Sequence, residues 1–396
     1  MRKKMIAAAL WCCAAGSHAQ NSVELYGVVD AGISYTSNER TGQPGAYAGH
    51  SNFSLISGNR SGSRWGIRGS EDLGAGLKAL FVLENGFDVA KGTLGQSGRL
   101  FGRQAFTGLA SERLGSLTLG RQYTSLTDFV SPASPIPVIG GFGAHPGNID
   151  DIDTTTRVDN EAKFASANYS GFQFGGSYGF GAQPGSLKRE SAWSAGAAFV
   201  RGPLNLAAGY ETSDNSKVGP SDPTLNTWDS TEDGTFGSSI NEGFATAQSQ
   251  QIVAAGATYD FGKAKAGVNY SNVQYRPGPF SLFTQEAIFN TVGLFAYWAL
   301  HPSFHVFTGY SYTRSGQLDA ADDHAQYHGV SLGLLYDLSR RTTLYTLAGY
   351  QRAIGKTLDS QGDIVDATAS VGSKGIGHSA ATASQVIVRV GIRQRF

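Results

Sequence analysis

The sequence predicts an all-β fold, a 16-stranded antiparallel transmembrane β-barrel. Polar and apolar residues alternate through most of the chain in pieces of about 9 to 13 residues, the length that a tilted strand needs to cross a membrane. Short and long connections separate these pieces in turn, and the count of strands is even. Because an open sheet edge in lipid would leave backbone groups without hydrogen bonds, the sheet has to close into a barrel.

The composition agrees with a barrel wall rather than a soluble domain. Of the 396 residues, 16% are charged and 40% are hydrophobic, and 53 are glycine. Soluble domains ordinarily carry about 25% charged residues. Lys+Arg and Asp+Glu both number 31, so charge gives no argument for a nucleic-acid partner. The alternative is a secreted β-sandwich or propeller, but the chain lacks a sheet-forming repeat of about 40 to 50 residues.

Residues 1–19 have the pattern of a cleaved secretory signal peptide. Arg2–Lys4 form a basic start, Met5–Ala15 an apolar run, and Ser17–Ala19 a cleavage site with small residues at both ends. The apolar run is shorter than the roughly 20 residues of a membrane-spanning helix. Both cysteines lie in this segment, so we expect a mature barrel of residues 20–396 without disulfides.

The last strand shows the alternation most clearly. Its apolar face leads to the terminal Phe396, and its other face carries three arginines; the apolar residues are Val386, Val388, Val390 and Ile392, and the arginines are Arg389, Arg393 and Arg395. Three arginines cannot share the interior of a small soluble core, because each buried charge needs a partner. An apolar face toward lipid and a polar face toward a water-filled bore account for the pattern.

The connections divide the chain in order. Short joins are expected within 72–76, 113–115, 202–203, 262–263, 301–303 and 339–341, and long ones within 37–59, 124–156, 214–247, 315–326 and 353–383. Tyr and Phe collect near strand ends, where aromatic rings suit the level of the lipid headgroups.

Six blocks spread over essentially the whole mature chain carry a family resemblance. They are SVELYGVVDAGISY (22–35), SGSRWGIRGSEDLGAGLKALFVLENGFD (61–88), FGRQAFTGL (101–109), LTLGRQY (117–123), YDLSRRTTLY (336–345) and VGIRQRF (390–396). In content and order they resemble the Gram-negative general porins, closest to the betaproteobacterial branch. The resemblance implies an outer-membrane diffusion channel for small hydrophilic solutes and ions.

The resemblance also implies assembly and partners. It implies a homotrimer in which each barrel has its own pore, and a third long loop, residues 124–156, that folds inward and narrows the channel. Phe396 would form part of the signal read by the barrel-assembly machinery. Outer-membrane lipid and lipopolysaccharide are the other expected partners, and no cofactor is expected.

Alternation and resemblance together select the residues of the pore constriction. Because Trp65 and Ile67 mark the lipid face of the second strand, Arg64 and Arg68 should point to water. The same argument points Glu84, Arg103 and Arg157 into the lumen and Phe106 toward lipid. On the sixth strand it also points three neighbours of Arg157 into the lumen: Asp159, Glu161 and Lys163. The resemblance assigns Arg64, Arg103 and Arg157 to a basic wall at the constriction, with Glu84 near it. The alternative is that each is merely a solvated residue of the lumen.

The predicted loop tip carries little negative charge. Pro137, Val138, Gly140 and Gly141 belong to a segment that resembles the tip of the family's third loop, but Val138 stands where enterobacterial members have Glu. Carboxylates follow only at Asp150, Asp151 and Asp153. Such a tip would oppose the basic wall weakly, so we expect a mild anion preference.

Arg121 is an exception to the alternation. It shares parity with Leu117 and Leu119, so it is aimed at lipid, where an unpaired charge costs roughly 2 to 4 kcal/mol at mid-depth. We therefore expect it near the rim or in a subunit contact, beside a carboxylate; a local bulge that turns it inward is the alternative.

Other functions have weaker support. His301 with His305, and His324 with His328, have i, i+4 spacing, which suits metal binding only on a helix. His301 falls in a turn and residues 322–328 in a loop that borders a strand, so solvated loop histidines are the better interpretation. The pattern G-x-S-x-G occurs at residues 175–179, but it lies within an alternating strand piece and not at the strand-to-helix turn of a nucleophile elbow. The mature chain has no cysteine to act as a nucleophile, so an outer-membrane barrel enzyme is a remote alternative. The acidic loop 214–247 could bind divalent cations that bridge lipopolysaccharide phosphates, but a solvated surface loop without bound cations is the simpler interpretation. A substrate-specific porin for small organic anions is the nearer alternative.

Overall fold

The computed structural model describes residues 22–42, 46–215, 236–318, 321, 323–373 and 378–396. The predicted signal peptide and residues 216–235 of the acidic loop lie outside the described residues. None of the helices within the described residues is long and apolar enough to cross a membrane.

Sixteen antiparallel strands form one closed barrel, as predicted. Neighbours in sequence are hydrogen-bonded to each other, and the last strand pairs with the first over Val28 to Thr36. The strands are β1 (Ser22–Thr41), β2 (Arg64–Gly74), β3 (Leu77–Asp88), β4 (Gln104–Ser111), β5 (Gly115–Gln122), β6 (Val158–Ser166), β7 (Phe172–Gly179), β8 (Ala192–Arg201), β9 (Leu204–Asp214), β10 (Ser249–Asp260), β11 (Ala264–Arg276), β12 (Ala287–His301), β13 (Phe304–Ser315), β14 (Gln326–Asp337), β15 (Thr342–Ile354) and β16 (Ser384–Arg395).

The connections alternate between tight turns and long loops. The six predicted short joins are turns, and a seventh turn, residues 167–171, links β6 to β7. At the end of the barrel with the tight turns, Gly27 and Phe396 exchange two backbone hydrogen bonds of 3.1 Å, which closes the wall. In outer-membrane barrels the tight turns lie on the periplasmic side and the long loops outside.

The first long connection differs from its prediction. Residues 37–59 are not an irregular loop, because β1 continues to Thr41 and a further strand, Ala48–Ser57, pairs with its upper half. This strand continues the line of β2 beyond an interruption at residues 58–63. Three further short strands lie in loops: Thr93–Leu94, Lys356–Leu358 and Ile364–Asp366.

The outer surface of the wall is apolar, as the alternation predicts. Leu25 on β1 is 61% exposed and Val390 on β16 is 58% exposed, and both belong to rows of outward-facing apolar residues. Arg389 and Arg393 of β16 face inward and are buried. In water such a surface would be unfavourable, whereas lipid chains cover it at no cost.

The third long loop, which we call L3, lies inside the barrel. It contains α1 (Ser125–Val130), α2 (Ile136–Ile139) and 3₁₀ turns at Ser131–Ala133, Gly140–Gly143 and Pro146–Asn148. The side-chain hydroxyl of Thr124 accepts a hydrogen bond from the Thr127 amide and so caps α1.

Glycines on the inward face of the wall provide the room for α1. A Cβ added at Gly196 of β8 would lie 2.8 Å from the Ser125 carbonyl oxygen, and one at Gly209 of β9 would lie 3.0 Å from Leu126. The Ser125 amide also donates to the Ser194 hydroxyl at 2.7 Å. L3 therefore packs directly against the backbone of the wall.

Candidate functional site: the pore constriction

A cavity of about 650 Å³ lies between the tip of L3 and the facing wall of the barrel. Six arginines and two carboxylates line it, together with Tyr123, Ile136, Pro137, Gly140 and Gly141. The arginines are Arg60, Arg64, Arg103, Arg157, Arg393 and Arg395, and the carboxylates are Glu84 and Asp153.

Glu84 of β3 holds two of the arginines in place. The Arg103 Nε donates to Glu84 Oε1 at 2.7 Å, and Arg64 Nε lies 3.6 Å from Oε2. The Tyr26 hydroxyl donates to the same Oε2 at 3.0 Å. Because one carboxylate serves two guanidinium groups, this part of the wall keeps an excess of positive charge.

Tyr123 links Arg103 to Arg157 at the start of L3. Its hydroxyl accepts from Arg103 Nη2 at 2.7 Å, and its ring lies 5.0 Å from the centre of the Arg157 guanidinium. Arg157 Nη1 also donates to the Thr155 carbonyl at 2.7 Å. A cation over an aromatic face is stabilised electrostatically, so Tyr123 orders both arginines without neutralising them.

Arg60 fastens the tip of L3 to the wall. Its Nε donates to the Val138 carbonyl at 2.7 Å, and its backbone amide donates to the buried Asp30 carboxylate at 3.0 Å. Gly140 sits directly on Arg60, since an added Cβ would lie 2.1 Å from the Arg60 carbonyl oxygen. Gly140 also has φ +58°, which a side chain would strain.

Two of the three carboxylates of the predicted constriction loop lie away from the cavity. Asp150 is fully buried behind the loop against His145, whose Nε2 is hydrogen-bonded to Asn269. Burial disfavours both charges, but the ion pair raises the pKa of His145 and lowers that of Asp150. Asp151 is also buried and accepts from Thr127 and from the Thr156 amide. Burial raises its pKa to about 6.

Asp153 is the carboxylate of L3 that does line the cavity. Its amide donates to the Asn148 side chain at 2.9 Å, which fixes this part of the loop. Burial raises the pKa of the Asp153 carboxyl to about 7, although Arg157 and a hydrogen bond from Ser373 oppose the shift. The tip therefore adds less than one full negative charge to the constriction near neutral pH.

Arg68 is on the inward face but outside the constriction, so its prediction needs correction. It pairs with Glu24 at 2.7 Å, and both side chains are more than half exposed. The residue lies four positions after Arg64 along β2, nearer the tight turns, and it lines a separate vestibule with Lys163. Alternation gives the face of a strand but not the depth in the pore.

Phe106 faces inward, contrary to the prediction. Its partner across the sheet is Val82, which has the same parity as Glu84. Phe106 lines the vestibule on the side of the tight turns. Arg103 lies one residue before β4 and reaches the cavity from the end of the preceding loop. Because it is outside the strand, alternation cannot be used to infer the face of Phe106 from that of Arg103.

Arg121 lies on the outward-facing row and has a carboxylate beside it. Its Nη1 donates to Asp159 at 2.8 Å, and its Nε donates to the Gly102 carbonyl at 2.7 Å. Arg99 also pairs with Asp159 at 2.8 Å. Asp159 was expected in the lumen, but the β5–β6 register shifts beside it and Asn160 has φ +52°, so the bulge moves this carboxylate to the outer side.

Three cavity arginines were missing from the predicted constriction. Alternation places Arg393 and Arg395 on the inward face of β16, but it does not give their depth along the pore. Arg60 lies in the interruption between Ala48–Ser57 and β2, where no period applies. The sequence block 61–88 that resembles the porins begins one residue after Arg60, so the resemblance does not include it either.

The comparisons with known proteins agree with this architecture. The Gram-negative porin family matches residues 6–355. An outer membrane porin protein of Bordetella pertussis is 33% identical over 89% of this chain and 94% of its own. The chain belongs to the Gram-negative porin family. It is therefore an outer-membrane channel protein, as its sequence predicts.

Solved structures share the fold. An anion-selective porin from Comamonas acidovorans has a TM-score of 0.71 and 22% identity, with 95% of this chain and 100% of that chain covered. A trimer form of a Vibrio cholerae outer membrane protein has a TM-score of 0.63 and 15% identity, with coverages of 95% and 99%. In this porin, no group of three or more His, Cys, Asp or Glu residues in the described ranges has the arrangement of a metal site.

Proposed function

We propose that this porin is a general diffusion channel with a mild preference for anions. The observation that carries the proposal is the lining of the constriction, where six arginines face two carboxylates. The lack of a carboxylate at Val138 and the raised pKa of Asp153 keep the tip of L3 from balancing that charge. An anion is therefore stabilised in the cavity relative to a cation of the same size.

The expected preference is modest because the pore is wet. At the dielectric constant of water a contact between unit charges is worth about 1 kcal/mol at 4 Å, which corresponds to a severalfold change in occupancy. Charge rings of this kind tune permeability ratios without giving absolute selectivity. Conductance should rise almost linearly with salt, and neutral solutes below the size limit should also pass.

Reversal potentials in a potassium chloride gradient test the proposal. We expect the wild-type channel to favour chloride, and Arg64→Gln and Arg157→Gln each to move the potential toward the cation value. Arg113→Gln is the matched control, because Arg113 lies in the turn between β4 and β5, away from the cavity. A cation preference in the wild-type channel would refute the proposal, and saturable block by one organic anion would favour the substrate-specific alternative.

We also propose that the chain acts as a channel without catalysis. Among the described residues, two histidines are paired with aspartates inside the barrel, His145 with Asp150 and His305 with Asp337. The other ring nitrogen of His145 faces Asn269, and that of His305 faces Tyr297. Neither imidazole is hydrogen-bonded to a serine or threonine that it might activate. Incubation with peptide and ester substrates should give no turnover.

The proposed assembly is a homotrimer inserted by the barrel-assembly machinery. The apolar outward rows of β1 to β5 offer a surface for other copies, and the trimer form of the Vibrio protein supports the same arrangement here. Phe396 closes the barrel seam through Gly27 and is proposed as part of the assembly signal. Native mass measurement of the detergent-solubilised protein tests the trimer.

A further inference from the structure

The end of the acidic loop between β9 and β10 folds into the mouth of the barrel. Residues 236–248 are mostly buried, and the side chains of Ile240, Phe244 and Ala247 are fully buried. A 3₁₀ turn, Glu242–Phe244, lies in the middle of this segment. A loop that stood above the barrel would expose these apolar side chains to water, so the segment packs against other parts of the mouth. We call residues 236–248 the strap.

An aromatic cluster anchors one end of the strap to the inside of the wall. The Phe244 ring is stacked on Tyr275 of β11 with the ring centroids 5.2 Å apart. It also meets Phe283 and Phe289 edge-on, at 5.3 and 5.5 Å. Tyr275 and Phe289 belong to the buried, inward-facing rows of β11 and β12. Because aromatic rings bury a large apolar area, this cluster fixes the strap beside β10, its point of attachment.

An ion pair fastens the strap to the upper end of β1. Arg40 Nη1 and Nη2 donate to Glu242 Oε1 and Oε2, each at 2.7 Å, and the side chains are only 17% and 13% exposed. The Arg40 guanidinium also lies 4.1 Å from the centre of the Tyr47 ring. A guanidinium that binds a carboxylate through two parallel hydrogen bonds fixes the orientation of its partner as well as its position. We call the pair Arg40–Glu242 the latch.

The latch lies nearly opposite the strand to which the strap is attached. Six strand intervals lead from β10 to β16, and one more closes the barrel to β1. At a strand spacing of about 4.8 Å and a tilt of about 40°, these intervals take up roughly 44 Å of wall. The backbone from Glu242 to Ser249 spans at most about 25 Å even when fully extended. The side chains of Arg40 and Glu242 are too short to bridge the difference, so the strap crosses the mouth rather than following the wall.

Further contacts place the strap on the outer side of L3 and beside the loop after β15. The Ser239 amide donates to the Ser379 hydroxyl at 2.9 Å, and the Ser239 hydroxyl donates to the Thr368 carbonyl at 2.8 Å. Ile240 covers Gly147 of L3, where an added Cβ would lie 2.6 Å from the Ile240 side chain. A solute from outside therefore reaches L3 only through the part of the mouth that the strap leaves open.

We propose that the strap is a second constriction, which limits the size of the solutes that enter the pore from outside, and that the latch holds it across the mouth. The strap and L3 act in series, but they select differently. The charges of Arg40 and Glu242 offset each other, so the strap selects by size, whereas the arginines beside L3 act on charge. The proposal rests on the channel itself and does not depend on the proposed ion preference.

Entry of neutral poly(ethylene glycol) into single channels in planar bilayers tests the proposal. A polymer small enough to enter lowers the conductance, so graded polymers give a size cut-off for each side of the membrane. We expect Glu242→Gln to raise the cut-off on the side of the long loops by about twofold in polymer mass, since a wider opening admits larger molecules. The cut-off on the side of the tight turns should stay at the wild-type value, because L3 limits entry there.

Glu286→Gln is the matched control for the latch. Glu286 pairs with Arg276 at 2.8 Å at the same end of the barrel, but both residues lie at the ends of neighbouring strands and their side chains are exposed. Breaking this pair removes the same charge without releasing anything that crosses the mouth. Its cut-offs should equal those of the wild type on both sides.

A second variant displaces the strap without changing the charges of the latch. In Gly243→Val the new Cβ would clash with the Leu358 carbonyl oxygen, so the strap has to leave the loop after β15. The cut-off on the side of the long loops should rise as in Glu242→Gln, and an unchanged reversal potential checks that the L3 constriction is intact. Wild-type cut-offs in both variants would overturn the proposal. So would an equal rise on both sides of the membrane, because L3 would then have moved instead.

Discussion

The inward face of this barrel consists of two walls with opposite charge and opposite access to water. The open wall, formed by β2, β3, β16 and the adjoining loop ends, presents Arg64, Arg103 and Arg393 to the cavity. The covered wall, formed by β6 to β10, lies beneath α1 and carries Glu161 and Glu211. Both walls follow the same alternation along their strands, so L3 creates the difference.

The carboxylates of the covered wall are buried and do not line the water-filled path. Glu161 and Glu211 are 2% and 3% exposed, and neither is in an ion pair among the residues that the structure describes. Asp150 and Asp151 of L3 are hidden in the same layer, behind the loop. Because these four carboxylates lie away from the ion path, the arginines of the open wall dominate the field inside the constriction.

The largest expected effect on conduction comes from dislodging α1 from the covered wall. In Gly196→Val the new Cβ would meet the Ser125 carbonyl oxygen and the Phe129 ring at 2.8 Å, so α1 has to move into the lumen. We expect single-channel conductance in planar bilayers to fall to less than half. Gly316→Ala is the control, since its Cβ would meet nothing closer than 3.7 Å. Wild-type conductance in Gly196→Val would show that the position of α1 does not limit the pore.

The next effect comes from releasing the tip of L3 from the open wall. Arg60→Gln removes the hydrogen bond to the Val138 carbonyl and one positive charge. Single-channel records should show frequent brief closures, together with a weaker preference for anions. Arg60→Lys keeps the charge but lacks Nε, so closures should appear with the preference retained. Quiet records from both variants would mean that Gly140 and the rest of the tip hold L3 without Arg60.

The sequence predicts the barrel better than it predicts access to water. Alternation correctly identifies the barrel strands, the inward faces of β2 and β3 and the arginine row of β16, because one face must meet lipid and the other must not. It assigns Phe106 of β4 to the wrong face. It cannot distinguish Glu84, which lines the cavity, from Glu161, which α1 covers, because both are inward carboxylates on strands. That distinction depends on where a loop of more than 30 residues packs.

Local irregularities account for the other differences. Asp159 changes face because of the bulge at Asn160. Asparagine adopts positive φ more readily than most residues, but a single Asn in a strand is too weak a signal to predict a bulge. Arg60 lies in an interruption of the sheet, so alternation assigns it no face. The inward glycines of β8 and β9 were a usable signal: Gly196 and Gly209 are directly paired in the sheet, and small inward residues on adjacent strands indicate that something packs against them.

A smaller change in conduction should follow the protonation of Asp153. Its pKa of about 7 means that the carboxyl is mostly neutral at pH 5 and mostly charged at pH 8. The anion-to-cation permeability ratio should therefore rise as the pH falls through 7, by less than about twofold for one partly screened charge. In Asp153→Asn the ratio should stay at its low-pH value throughout this range. A ratio that rises with pH in the wild type would contradict the assignment.

The smallest effect on conduction is expected on the outer side of the wall, at Arg121 and Asp159. Arg121→Gln leaves Asp159 paired with Arg99, whereas Asp159→Asn leaves two arginines without that partner, so the second change should lower the thermal midpoint more. Hydrogen bonds to charged groups contribute about 1.5 to 3 kcal/mol, and a double-mutant cycle should show coupling of that order.

Conductance and ion preference should stay at wild-type values in both variants, because the pair belongs to the outer side and contributes no charge to the cavity. A shifted reversal potential in Asp159→Asn would instead place this carboxylate in the pore, and the bulge at Asn160 would then have no consequence for charge.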